Sequence, residues 1–240
     1  FGNVQYYALM GGLSLLAKAL MEEILKNGSV VKLNTKIEKI KKKDSEFLVY
    51  SKKLLCQSQK VIFAIKPHQL NNFRILEPIH KYINSVYGSP LLRIYAKYPK
   101  PVWFDKINRT TTNNILRHII PINKEEGIIM VSYTDGPDTY FFRNEQKELK
   151  PINELKKIVK HNLERVFPNI KIPNPVFFKA YLWNVGCHHW KPGYNSTDIE
   201  NKTINPIENV YITGEGFCSK QAWVEGALEN ADKVIKNIKS

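Results

Sequence analysis

The sequence predicts a mixed α/β (α+β) fold, because helical and extended apolar periodicities alternate along the chain and neither dominates. Near the start, Leu13, Leu16, Ala17, Leu20 and Ile24 recur at the spacing of one helix face, and Asn27-Gly28 closes that helix. In the middle, runs of strand character surround one amphipathic helix. The end of the chain returns to strand, glycine turn and helix.

Taken in order, Gly11-Gly12 lead into the first helix, and short β-type runs follow at 30–34, 37–40 and 47–50. Residues 61–65, Val61-Ile62-Phe63-Ala64-Ile65, are apolar without a break, which predicts a strand buried on both faces and ended by Pro67. Further strands are expected near 91–98, 115–121, 128–133 and 176–183. The helix among them carries Leu155, Ile158, Val159, Leu163 and Val166 on one side and stops at Pro168. Residues 209–213 are extended, Gly214-Glu215-Gly216 form a turn, and Val224, Ala227, Leu228, Ala231, Ile235 and Ile238 fall at helical spacing. The basic run Lys39-Ile40-Lys41-Lys42-Lys43 reads as a solvated strand end and turn.

A hydrophobic content of 43% over 240 residues is enough for a sizeable core and excludes a disordered chain. No apolar stretch approaches the roughly 20 residues that span a bilayer, and Phe1-Gly2-Asn3-Val4 lacks a leader pattern. The expectation is therefore a soluble intracellular protein, of the cytoplasm or of a viral particle or factory. Cys56, Cys187 and Cys218 are odd in number and widely spaced, which fits reduced thiols. The formal charge of +14 comes from 30 Lys against 6 Arg, a balance that attracts anions and that an A/T-rich genome also produces. Scattered Lys with few Arg and no basic-aromatic motif does not favour nucleic acid as the partner.

The C-terminal strand, glycine turn and helix form the most suggestive chemical element, because free N–H groups and a helix dipole suit an anion there. With two of three fingerprint glycines, the turn also reads as an ordinary βα connection. Its context is more specific. Tyr211-Ile212-Thr213-Gly214-Glu215-Gly216, followed by Trp223-Val224-Glu225-Gly226-Ala227, resembles the C-terminal signature of flavin-dependent monoamine and polyamine oxidases. Gly186-Cys187-His188-His189-Trp190-Lys191-Pro192-Gly193 resembles that family's Gly-Cys-aromatic stretch. Ser89-Pro90-Leu91-Leu92-Arg93, running to Pro101-Val102-Trp103, is similar to the family strand that ends in Pro-x-Trp. Gly11-Gly12, Val31-Lys32-Leu33-Asn34, Ile37 and the run at 61–65 match the family's glycine pair and cofactor-side strands.

The resemblance implies an FAD-binding fold of the amine oxidase type with an interleaved substrate domain, incomplete at its N-terminus. It assigns 11–70 and 180–240 to the FAD-binding region, 71–179 to the substrate-binding region and 1–10 to the end of a substrate-side segment. It implies cofactor contacts at Ile37, Ala64, Ile65, Gly214, Glu215 and Val224, with Cys187 placed for a thioether to the flavin. A thiolate is the nucleophile such a bond needs, whereas a buried thiol would stay inert. His188 and Trp223 stand where the family has its two cage tyrosines, and Arg93 stands where it has a water-holding lysine. These three are the catalytic candidates, Arg93 keeping a fixed charge and a planar fork in place of an ammonium. No metal site is expected, since Cys187, His188 and His189 are adjacent and do not converge. The implied reaction is oxidation of a small-molecule amine with oxygen as acceptor. The alternatives are a flavin oxidase or desaturase acting on a non-amine, and a basic scaffold that keeps the fold without catalysis. The family's nucleotide-binding strand would come from a preceding segment or another chain.

Overall fold

The structure is a computed structural model and describes residue 9 and residues 11–239. The substrate-side assignment of 1–10 therefore lies, except for Leu9, outside the described residues. Helices and sheets are mixed. The elements are α1 (Ser14–Lys26), β1 (Lys39–Lys43), β2 (Glu46–Tyr50), β3 (Leu54–Ser58), β4 (Val61–Phe63), α2 (Pro67–Leu70), α3 (His80–Ile83) and β5 (Val86–Lys97). Then come β6 (Thr110–Thr111), β7 (His118–Asn123), β8 (Ile128–Asp135), α4 (Ile152–Val166), β9 (Phe177–Trp190), α5 (Ser196–Ile204), β10 (Val210–Ile212) and α6 (Val224–Lys239).

A five-stranded antiparallel sheet, ordered β6-β7-β8-β5-β9, carries α4 on one face. Alternation along β5 sends Leu92, Ile94 and Ala96 toward that helix, where Leu155, Val159 and Leu163 meet them in one buried core. Each fully buried Leu, Ile or Val here contributes about 1.5–3 kcal/mol, so this pairing fixes the register of β5. A second core joins Phe63, Leu70, Leu76, Ile83, Val86, Ile199, Val210, Ile212 and Phe217. It sits around β4 and β10, which pair in parallel from Val61–Val210 to Phe63–Ile212. β5 and β9 are long enough to reach both cores, Leu92 and Phe178 lying in the first while Val86 and Trp190 pack in the second.

Several expectations change. Residues 30–34 form no strand, and Val30 and Leu33 are 78% and 72% exposed, because Gly28 and Asn34 take positive φ and turn the chain. The strand expected over 37–40 starts at Lys39 and continues through the basic run, pairing with β2 from Lys39–Tyr50 to Lys43–Glu46. The apolar run at 61–65 forms a strand only over its first three residues, and Ile62 is 51% exposed because alternation turns it away from the second core that Val61 and Phe63 pack into. Pro67 opens α2 at its first turn, where a missing N–H costs nothing. β3, α5 and the 3₁₀ turn Arg74–Ile79 carry no clear periodicity and were not expected.

The first helix forms where its periodicity places it, yet it has no buried residue, and Leu13, Leu16, Leu20 and Ile24 are all exposed. α6 also forms as expected but buries a different stripe. Gly226, Asn230 and Val234 face inward, while Val224, Leu228 and Ile235 are half exposed. Among the described residues no helix is long and apolar enough to cross a membrane. Nor, among them, is any group of three or more His, Cys, Asp or Glu placed to hold a metal ion.

Candidate functional site

The carboxyl ends of parallel strands are where α/β folds hold ligands, because the loops leaving them diverge and open a crevice. Here β4 runs out into Ala64-Ile65 and β10 into Thr213-Gly214, tied together by a 2.9 Å bond from Thr213 N–H to Phe63 O. A cleft of 370 Å³ opens between them, lined also by Lys66, Gln69, His188 and Glu215. That volume lies within the range of small-molecule pockets.

His188 arrives from the far end of β9, and the crossing that delivers it depends on two glycines. A Cβ on Gly186 would meet Leu91 at 2.4 Å, and one on Gly88 would meet Val185 at 2.5 Å. The irregularity between Ser89 and Leu91 restores the register, so that Ser89 faces Cys187 and Gly88 faces His188. Lys66 fixes the junction from the β4 side by donating to Val185 O at 2.5 Å.

His188 is only 4% exposed and its Nδ1 is hydrogen-bonded to Glu215 Oε1. Glu215 Oε2 accepts from Ala222 N–H at 2.8 Å. Burial works to raise the Glu215 carboxyl, but the His188 and Ala222 bonds outweigh it and hold the group below the usual carboxylate range. A carboxylate can only accept, so Nδ1 of His188 carries a proton and donates it to Glu215, which turns Nε2 toward the cleft side of the ring. Among the described residues Nε2 is buried without a hydrogen-bond partner, as is Thr213 Oγ1, which also lines the cleft.

Gly214 takes φ +130°, a conformation that side-chain-bearing residues rarely adopt, and a Cβ there would meet nothing within 4 Å. The turn thus offers bare backbone to the cleft, and its N–H is held by Asn230 Oδ1 at 3.1 Å. Gly226 lets the loop before α6 fold tightly, since a Cβ there would meet Lys220 O at 2.2 Å.

Five of the residues read from the sequence therefore meet at the cleft: Ala64, Ile65, His188, Gly214 and Glu215. Cys187, next to His188, is 4% exposed with Sγ 3.5 Å from His189 Nε2. Burial pushes its thiol up, Asp135 and Glu215 add to the rise, and Arg93 opposes it. Arg93 stands apart from the cleft lining, its Nη1 donating to Leu92 O at 2.7 Å and Thr134 O at 3.0 Å. Its guanidinium lies 3.2 Å from the centre of the Tyr133 ring. Trp223 and Val224 are 53% and 50% exposed at the start of α6, linked to the cleft through Ala222 and Glu215. Ile37 is half buried against the second core. Thr213, Lys66 and Asn230 were not singled out from the sequence, and for Asn230 the signal was its i+4 spacing from Gly226.

The profile of the flavin containing amine oxidoreductases matches residues 2–234. The chain belongs to that family. Among curated relatives it is 26% identical to Aplysianin-A of Aplysia kurodai over 132 residues, 46% of this chain and 24% of that protein. Among solved structures it superimposes on a protoporphyrinogen oxidase-like protein from Exiguobacterium sp. 255-15 with a TM-score of 0.74 and 13% identity. The match covers 96% of this chain and 51% of that one, and it shows a flavin-oxidase type of fold. The chain thus spans about half of the solved relative and about a quarter of the curated one. Members of the family generally bind FAD. The cleft fits part of such a group, because its wall presents two buried polar atoms without partners and a turn that no side chain obstructs.

Proposed function

We propose that the chain forms the flavin-facing and substrate-facing part of an FAD-dependent amine oxidase. The observation that carries this reading is the buried His188–Glu215 pair, set at the mouth of two parallel strands with Nε2 of His188 unpartnered. When bound, FAD supplies a two-electron acceptor that takes hydride from the carbon beside the amine nitrogen and is reoxidised by oxygen, which leaves as hydrogen peroxide. The imine product then hydrolyses to a carbonyl compound and an amine.

Hydride leaves only a neutral amine readily, so an ammonium substrate must first lose a proton. Nε2 of His188 is the acceptor for it, and the adjacent Glu215 carboxylate stabilises the imidazolium that results. Gly214 and the turn after β10 let the cofactor approach the backbone, and the N–H groups at Val224 and the start of α6 favour the electron-rich flavin edge. Ala64 and Ile65 close the cleft from β4, and Ile37, half buried against the second core, would meet the adenine end of the cofactor. Trp223, 53% exposed just before α6, would supply one aromatic wall beside the cofactor, and Arg93 adds a fixed positive field near Cys187. A thioether at Cys187 would first require its buried thiol to lose a proton, and His189 Nε2 lies 3.5 Å from Sγ. A further polypeptide segment completes the nucleotide site.

A non-amine substrate is the second reading, favoured by Arg93, a permanent cation close enough to act on Cys187 and therefore repulsive to an ammonium group. The test is the visible spectrum of the full-length gene product followed by acid precipitation. Yellow colour is expected in the purified protein, and colour retained in the pellet but lost in Cys187→Ser would mark a covalent link. Colour passing wholly to the supernatant would remove the thioether and leave the oxidase. A colourless, well-folded preparation would sink the flavin reading and favour a non-catalytic scaffold. Peroxide release over a panel of amines and non-amines then separates the two substrate readings.

A further inference from the structure

We propose that the outer edge of β1, with the basic groove beside it, is a docking site for an extended acidic peptide. β1 is the outermost strand of the sheet β1-β2-β3, and only one of its sides is paired. The N–H and C=O groups of the other side have no backbone partner among the described residues. A groove of 510 Å³ runs along that edge between β1 and the 3₁₀ turn Arg74–Ile79. Its floor is apolar, with Ile40 and Phe73 each 9% exposed and Ile75 beside them.

The rim is cationic. Lys39, Lys41 and Arg74 line it, and neither Lys39 nor Lys41 has an ion-pair partner among the described residues. Glu38 also lines the groove, while Lys42 is paired with Glu208 at 3.6 Å and Arg74 reaches Glu77 at only 3.9 Å. Crowding by Lys41, with smaller effects of desolvation and then of Arg74, holds the Lys39 amine below the usual lysine range. An anion in the groove would relieve that repulsion.

These features select one kind of occupant. An open edge offers alternating donors and acceptors that another strand reciprocates, while a nucleic acid or a lipid surface cannot. The apolar floor takes every second side chain of such a strand. The same lysines guard the edge against self-pairing, because a second copy of β1 would bring the same charges against them. A strand bearing Glu or Asp meets no such barrier.

The test is fluorescence anisotropy of a labelled peptide of about eight alternating Glu and Val residues, titrated with the full chain. Saturable binding that weakens with added salt is expected. The Lys39→Glu, Lys41→Glu double variant should weaken it by about tenfold or more while its circular dichroism is unchanged. A peptide of the same sequence, N-methylated at every residue, should lose binding to the unaltered protein, since its charge is intact but neither of its edges can pair. Equal binding of the methylated peptide would overturn strand pairing even if the double variant failed to fold. Tighter binding of an oligothymidylate or of phosphatidylserine vesicles, or no peptide binding at all, would overturn the proposal outright.

Discussion

Glu215 holds two donors at once, the Nδ1–H of His188 on one oxygen and the N–H of Ala222 on the other. Its folded pKa is depressed despite burial, so its contribution to stability is full above the ordinary carboxylate range and is lost as the pH falls through the lower folded value. Glu215→Gln keeps the shape but removes the charge, and should cost about 1–3 kcal/mol at neutral pH. In urea titrations, the gap between the variant and the unaltered chain should narrow in acid. An equal gap at neutral and acid pH would show that the carboxylate is not what stabilises the pair. Ala64, Ile65, His188, Gly214 and Glu215 were legible in the sequence because each belongs to a motif with its own turn or strand signal. Thr213 lies in the same strand-turn motif but carried no role of its own there, and Lys66 lies in none. Thr213 matters as a buried hydroxyl without a partner, and Lys66 through a bond to Val185, which lies 119 positions away. No local pattern encodes either property.

Among the elements, α4 was readable because its apolar stripe and its buried stripe coincide at Leu155, Val159 and Leu163. α6 was readable as a helix but not as a surface, because it buries Gly226, Asn230 and Val234 and leaves Leu228 57% exposed. Gly226 faces inward because the loop before the helix passes too close for a side chain, and that rotates Asn230 toward Gly214. Apolar periodicity reports where burial would be favourable, whereas a glycine contact and a side-chain hydrogen bond decided the orientation here. The consequence inverts the usual ranking of substitutions. Asn230→Ala strands the Gly214 N–H and should cost about 1–3 kcal/mol, while Leu228→Ala should stay within about 0.5 kcal/mol. Chemical denaturation of the two variants checks the order, and a larger loss for Leu228→Ala would mean that α6 is rotated from the orientation described.

Over the whole molecule, the buried titratable groups set a window of stability rather than a single optimum. On the acid side Glu215 contributes through its depressed carboxyl, and His68 and His118, held down chiefly by burial, add to the loss. On the alkaline side burial raises the thiols of Cys187 and Cys218 and the phenol of Tyr98, Tyr98 the furthest. Each stays neutral in the folded chain after its unfolded counterpart has ionised. Stability is therefore fully present below the ordinary thiol range and is lost as the pH rises through the higher folded values. The fall should come in two stages, one beginning in the thiol range and a steeper one in the tyrosine range. Replacing Cys187 and Cys218 together by Ser should remove the first stage and leave the second, at the cost of a lower plateau from two buried hydroxyls. Urea midpoints measured from about pH 7 to about pH 11 resolve the stages. A decline of the same shape in the double variant would place the alkaline sensitivity outside the two cysteines, and with it the claim that Cys187 is kept protonated by its surroundings until a base removes the proton.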